Sequence, residues 1–386
     1  MIIDHNKQID ILRFGFYLTL LASLCFYIAM PLDNVTLLRI SSQAFIYVNV
    51  ISFLYSIFQF ERSKSKLYDF IVLLFIVYAV ILSQVVSTDI MQPYIFFIKL
   101  LSYMSIMLSI YYLDYIKIDK TIVNMVFTIS ITTGIWFIYL SLTEFAYKGH
   151  PISLTLGYDN PNQTAIFLLF NIIILIAACN YYGNKLMKLF LFIMSLYLSY
   201  LIYLTESRAC FIVLILFFVF NFKKTHFGIP KIAVFFITLT PILFMIIYTG
   251  LYINGFFLDF ELMGKPFYTN REVMIMSVLE DLKNHMLLGK LGEYRFSNTH
   301  NGVLSIIASL GLVGLGLYYL YLLRILFRAS QRLKNKTALI AFCGILMIFV
   351  QSSAESALMI SGSIYGAAVS ILYLLTRIED SAYYKT

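Results

Sequence analysis

The stretch YLTESRACFIVLILFF, residues 203–218, decides how this chain is folded. It lies inside a run, residues 186–222, that is otherwise almost unbroken hydrocarbon, yet it sets a glutamate, a serine and an arginine side by side at Glu206, Ser207 and Arg208. Read as one helix, the run would be about 55 Å long at 1.5 Å per residue, too long to cross a bilayer once without extreme tilt. The polar step at residues 205–208 therefore reads as a tight turn between two membrane spans.

Working outward, the whole chain has the same character. Its 386 residues are 61% hydrophobic, 17% aromatic and only 12% charged, whereas soluble proteins carry about 25% charged residues. Crossing a hydrocarbon core about 30 Å thick takes about 20 apolar residues as a helix. Windows of that size fall at 11–30, 43–60, 67–86, 94–116, 121–143, 161–182, 187–205, 207–222, 231–252, 303–327, 337–354 and 357–376. The expected fold is all-α: one integral membrane domain over residues 1–386 with about 12 transmembrane helices. Asp4 and Asp10 precede the first apolar stretch, which is long enough to span, so it reads as a retained helix and not a cleaved signal.

Orientation follows from the basic residues, because cytoplasmic loops carry the excess of Lys and Arg. The even-numbered connections, around 62–66, 117–120, 185–188, 223–231 and 324–336, are rich in them, whereas the short odd-numbered loops hold only Arg39, Lys148 and Arg208. Both termini are thus expected in the cytoplasm. The one long connection, residues 253–302, becomes a large extracytoplasmic loop on the same face as Arg208. The net charge of +8 comes from these scattered loops, with no basic patch interleaved with aromatics, so no nucleic-acid partner is expected. Cys25, Cys179, Cys210 and Cys343 all sit in apolar stretches without metal-ligand spacing, which suggests neither disulfides nor a metal site. Gly311, Gly314 and Gly316 lie within an apolar window and not between a strand and a helix, so close helix packing through small residues is the reading, not nucleotide binding.

Within the long loop, residues 269–272 (TNRE) have the form of a capping box. Val273, Met276, Leu279, Leu282 and Met286 follow at helical spacing, and Gly289 supplies a stop. An amphipathic helix is expected over about 270–288. Arg271 in its first turn puts a cation beside unpaired N–H groups and a positive dipole end, a combination suited to an anion such as phosphate; solvation, or pairing with Glu272 or Glu261, is the plainer reading. Arg208, at the outer end of a span, either snorkels to the interface or meets a ligand, with Glu206 as a structural partner. His300 stands where the long loop meets the tenth window and could accept a proton near neutral pH, oriented by Asn301 or Asn298. Lys99 lies about five residues inside its window, where an ionisable group commonly faces a cavity. Asn160, Asn162 and Gln163 make a polar entrance to the sixth window, with Pro161 at a first helical position, fit either for helix capping or for binding sugar.

These elements together resemble the O-antigen ligase and polymerase superfamily, the Wzy and WaaL-like integral membrane proteins. The resemblance is carried by TESRACFIVLIL from Thr205, by NPN at 160–162 followed by a span, by TNREVMIMSVLEDLKNHMLLGK from Thr269, and by THNGVLSIIASLGLVGL from Thr299. It implies inverting glycosyl transfer at the outer face of a bacterial cytoplasmic membrane, with undecaprenyl diphosphate-linked glycan as donor and no cofactor or metal. Arg208 and Arg271 would contact the diphosphate and His300 would activate the acceptor hydroxyl, with Lys99, Glu206, Asn162 and Asn301 in support. The implied partners are the lipid-linked oligosaccharide, membrane lipids and other assembly proteins such as a flippase and a chain-length regulator. The chain is expected to be a capsule or O-antigen repeat-unit polymerase. A ligase delivering finished glycan to lipid A core is the nearest alternative, and a lipid-linked oligosaccharide flippase is one of a different class. Asp259 and Glu261, with their DxE spacing, are the one hint of a metal-dependent enzyme.

Overall fold

The computed structural model describes residues 5–59, 71, 73–75, 77–78, 81, 107–223, 229–262, 265–268, 270–289, 301–355 and 364–378. Its helices run in order α1 (His5–Ala29), α2 (Val35–Gln59), α3 (Lys120–Ser141), α4 (Pro161–Tyr181), α5 (Lys185–Leu204), α6 (Arg208–Lys223), α7 (Lys231–Thr238), α8 (Thr240–Ile253), α9 (Arg271–Asp281), α10 (Gly302–Ser330), α11 (Lys336–Gln351) and α12 (Ile364–Leu375). Between α8 and α9 lies a short antiparallel hairpin, β1 (Glu261–Leu262) and β2 (Lys265–Pro266). The chain is an all-α, multi-pass membrane protein.

The turn that divides the long apolar run is present. α5 closes with the Thr205 N–H on Leu201 O at 3.1 Å, and α6 opens at Arg208. Glu206 takes φ 55°, the left-handed position at which a helix commonly ends on glycine. A residue with a Cβ pays about 1–2 kcal/mol there, so something must hold Glu206 in place; the next section identifies it. On α5, Leu189, Ile193, Leu196, Tyr200 and Tyr203 are each about half exposed and recur every three or four residues. Such an apolar stripe turned outward along a 20-residue helix suits acyl chains and not water.

The expected count of about twelve spans is not met. Among the described residues six helices are long and apolar enough to cross a membrane, or seven if the bent pair α7–α8 is one span. Windows 67–86 and 94–116 fall largely outside the described residues. Over the described residues α6 and α11 have 16 residues and α12 has 12, so the longest described stretch extends about 24 Å at 1.5 Å per residue. Hydropathy windows register apolar stretches whether lipid or protein surrounds them: α6 turns Ile212, Ile215 and Val219 outward, whereas α11 and the end of α12 are apolar because protein surrounds them. α11 makes the point, since residues 337–349 are all buried between α4, α6, α7, α8 and α12. One buried cluster extends from Leu12 to Ile378.

Two breaks shape the bundle. α7 and α8 meet at a 44° bend, because Pro241 has no N–H to donate and its ring crowds the preceding turn. The Ile237 carbonyl freed there is satisfied by the Thr240 hydroxyl at 2.7 Å. In α10, Gly311 has φ 67° and ψ −173°, a conformation essentially restricted to glycine. The break lets the chain from the long loop dock: the N–H groups of Leu312 and Val313 donate to Met286 O and Leu287 O at 2.9 and 3.3 Å. A Cβ on Gly311 would collide with the Leu287 carbonyl, and one on Gly314 would press on Leu310 and Tyr78, whereas Gly316 has open space. Close packing thus holds for the first two glycines of the run and not for the third.

That docking also shortens the amphipathic helix expected over about 270–288. α9 ends at Asp281, and residues 282–288 turn instead so that their carbonyls reach α10. Nor does Glu272 act as a capping-box partner. It is 2% exposed and accepts from the Tyr248 hydroxyl at 3.2 Å, while Asn270, in the left-handed region at φ 64°, makes no side-chain cap.

At the opposite end of α11 from Gln351, Asp114 gathers Arg328 at 3.0 Å, Arg332 at 3.6 Å and Arg377 at 3.9 Å, and also accepts from Tyr373 at 2.8 Å. Three arginines share one carboxylate. Asp114→Ala should therefore lower the thermal midpoint in detergent by several degrees, a loss of about 2–3 kcal/mol after allowing for the partly exposed arginines. An unchanged midpoint would reduce this network to surface decoration.

Candidate functional site

Ends of α4, α6, α9 and α11 come together around one cavity of about 630 Å³. α4 contributes Asn162 from its first turn, α6 contributes Arg208, α9 contributes Arg271 and the C-terminal end of α11 contributes Gln351, Ser353 and Ala354. α8 supplies Thr240, Phe244 and Tyr248, which the bend at Pro241 sets along the wall. Apart from the polar groups, the lining is hydrocarbon and aromatic ring, including Ile212, Val213, Met274 and Val350.

Arg208 reaches across to the hairpin. Its NH1 donates to the carbonyls of Pro266 at 2.9 Å, Lys265 at 3.2 Å and Leu262 at 3.4 Å. Among the described residues it has no carboxylate partner. Glu206, expected beside it, pairs instead with Lys265 at 2.6 Å and accepts from the Ser153 hydroxyl at 2.9 Å. Those two contacts hold the left-handed turn. Arg271 donates through NH1 to Ala354 O at 2.8 Å and through NH2 to Glu355 at 2.9 Å. Its partner is thus neither Glu272 nor Glu261. The Ala354 carbonyl lies just past the end of α11, where the helix dipole favours a cation. Both guanidinium groups line the one cavity, Arg271 balanced by Glu355 and Arg208 by no carboxylate among the described residues, so cationic side chains stand beside apolar walls.

Glu206 titrates below its ordinary carboxylate range, chiefly because Lys265 donates to it and then because Ser153 does. A folded-state pKa below the unfolded one stabilises the protein above the ordinary value of 4.5 and loses that contribution as pH falls through the lowered value. Wild type should melt above Glu206→Gln at neutral pH, modestly because the pair is solvent-exposed. The gap should close on acidification below the ordinary range; a gap independent of pH would mean that the charge is not what holds the turn.

The supporting residues divide. Asn162 lines the cavity, and its backbone N–H is capped by Asn160 Oδ1 at 2.8 Å. Asn301 is wholly buried and committed to structure: its Nδ2 donates to Pro241 O at 3.2 Å and Ser353 O at 3.0 Å, while Oδ1 caps the Leu304 N–H at 3.0 Å. It is therefore a clamp joining the start of α10 to α8 and to the end of α11. His300 and Lys99 lie outside the described residues. No group of three or more His, Cys, Asp or Glu capable of holding a metal occurs among the described residues; Asp259 and Glu261 belong to no such group.

Sequence reading missed Lys265, Tyr248, Gln351, Ser353 and Glu355. The last three form a polar run, QSSAE at 351–355, at the end of an apolar window, and polar groups at such a depth are a recognisable signal. Comparison of the chain with protein-family models finds no match, and comparison with curated proteins finds no relative.

Proposed function

We propose that the chain is a repeat-unit polymerase for a capsular or O-antigen polysaccharide, acting at the outer face of a bacterial cytoplasmic membrane with both termini cytoplasmic. It would move a glycan from undecaprenyl diphosphate to a sugar hydroxyl of another lipid-linked unit, with inversion and without a metal. The observation that carries this reading is the cavity itself, in which Arg208 and Arg271 face one space with largely apolar walls. An amphiphile with an anionic head and a hydrocarbon tail has that pattern of chemistry.

In the reaction, the acceptor oxygen attacks the anomeric carbon, the bond from that carbon to the phosphate oxygen breaks, and undecaprenyl diphosphate leaves. Negative charge develops on the departing phosphate, where fixed cations stabilise the transition state. His300 would take the proton from the acceptor hydroxyl, a role worth about 10²–10⁴-fold. Diphosphate is already a good leaving group, so no separate acid is required.

Deleting the gene and running the cell's polysaccharide on a gel tests the reading. Single repeat units on lipid support polymerase, whereas full-length unattached chains mean a ligase. Purified protein that extends lipid-linked chains without an ion gradient, and in chelator, supports transfer over transport and over metal-dependent catalysis. Movement of lipid across the bilayer with no extension would overturn it.

A further inference from the structure

Where α11 ends, two residues of the cavity lining carry three buried polar atoms without partners among the described residues. Gln351 is 4% exposed and Ser353 is 5% exposed. Neither Oε1 nor Nε2 of Gln351 nor Oγ of Ser353 has a hydrogen-bond partner among the described residues, and both residues line the same cavity as Arg208 and Arg271. Leaving a buried polar group unsatisfied costs about 1–3 kcal/mol, and because these covered atoms belong to residues of the cavity lining, a turn of the two side chains brings them to a partner that arrives from the cavity.

The chemistry of that partner follows from the atoms. Gln351 Oε1 is an acceptor and needs a donor, which an ionised phosphate oxygen cannot be. Nε2 needs an acceptor, which a hydrocarbon tail cannot be. Hydroxyl groups do both, and so does the Ser353 hydroxyl in return. A site built to hydrogen-bond hydroxyls also rejects ligands that lack them, because its own buried groups are then left unpaired.

We propose that Gln351 and Ser353 form a subsite for the hydroxyl-bearing first sugar of the donor, next to the arginines that hold its diphosphate. The inference rests on the polymerase reading for the nature of the anionic group, and it adds a specificity-determining role that the arginines cannot supply. Gln351 distinguishes glycosylated from bare lipid; Arg208 and Arg271 bind the diphosphate that both share.

The test measures binding to the full-length protein in nanodiscs, with bare undecaprenyl diphosphate and with the same lipid carrying one glucose, one galactose or one N-acetylglucosamine. Wild type should bind at least one glycosylated lipid more tightly than the bare one. Gln351→Met, similar in size and without the amide, should erase that preference, weakening the preferred lipid by tenfold or more and leaving the bare lipid within twofold. Ser353→Ala should act in the same direction. Since neither side chain bonds to any described residue, neither variant should melt below wild type. Equal weakening of all the lipids, no weakening of any, no preference in wild type, or a midpoint lowered by several degrees would each overturn the subsite. Failure of wild type to bind bare undecaprenyl diphosphate, or indifference of that binding to Arg208→Ala, would instead overturn the diphosphate reading beneath it.

Discussion

Arg208→Ala should cut polymer output by at least about a hundredfold while the protein stays in the membrane at its normal level, since removing one fixed donor from a developing anion typically costs 10²–10³ in rate. The expectation has a structural rival. NH1 of Arg208 also ties the β1–β2 hairpin to the start of α6 through the carbonyls of Leu262, Lys265 and Pro266, so the variant could lose output by loosening that wall. Two further measurements separate the cases. Arg271→Ala leaves the hairpin contacts alone, and its output should fall comparably; combined with Arg208→Ala it should cost little more than either alone, as groups acting as a unit do. Arg271→Lys should also lose most of its output, because a lysine cannot make the two-pronged contact that a guanidinium offers to phosphate. Full output from Arg271→Ala, with Arg208→Ala melting several degrees early, would assign Arg208 to architecture alone.

Gly311→Ala should be the most damaging single methyl group at any described glycine. The residue would have to hold φ 67° with ψ −173°, a strain of about 1–3 kcal/mol for anything other than glycine. Its Cβ would meet the Leu287 carbonyl and sit 2.5 Å from the Leu288 nitrogen, and backbone cannot swing aside as a side chain can. Together these effects amount to at least about 3 kcal/mol, enough to deplete folded protein from the membrane. Gly316→Ala, in the same helix with nothing near it, is the control. It should raise stability by up to about 1 kcal/mol through helix propensity. Equal midpoints for the two variants would show that the break in α10 does not depend on glycine.

The features legible in the sequence were those fixed by length and local chemistry. The turn at 205–208 follows from the mismatch between a largely apolar run over residues 186–222 and one bilayer thickness. Arg208 and Arg271, expected on one face from the alternation of spans and the loop charges, both line one cavity. Long-range pairings left no such trace. Glu206 was matched to its neighbour Arg208, yet its true partner Lys265 comes from a hairpin with no local signature. Glu355, the partner of Arg271, follows an apolar window whose average conceals QSSAE. The periodicity from Val273 to Met286 is helical throughout, but carbonyls 286 and 287 are drawn into bonds with the broken α10, and tertiary docking outweighs local preference. Pro241 was visible from the start. A window average treats it as one residue in twenty, although it stands at the bend of the span that frames the cavity.

The sheathing of α11 has a consequence for how such a protein tolerates its surroundings. Membranes thicken and thin with temperature and lipid supply, and a peripheral helix such as α5 must tilt or snorkel to follow. α11 is walled off from acyl chains along nearly its whole length, so those adjustments reach it only through its neighbours. The floor formed by Gln351 and Ser353 stays at a height set by protein packing, and the site keeps its shape in a bilayer that does not.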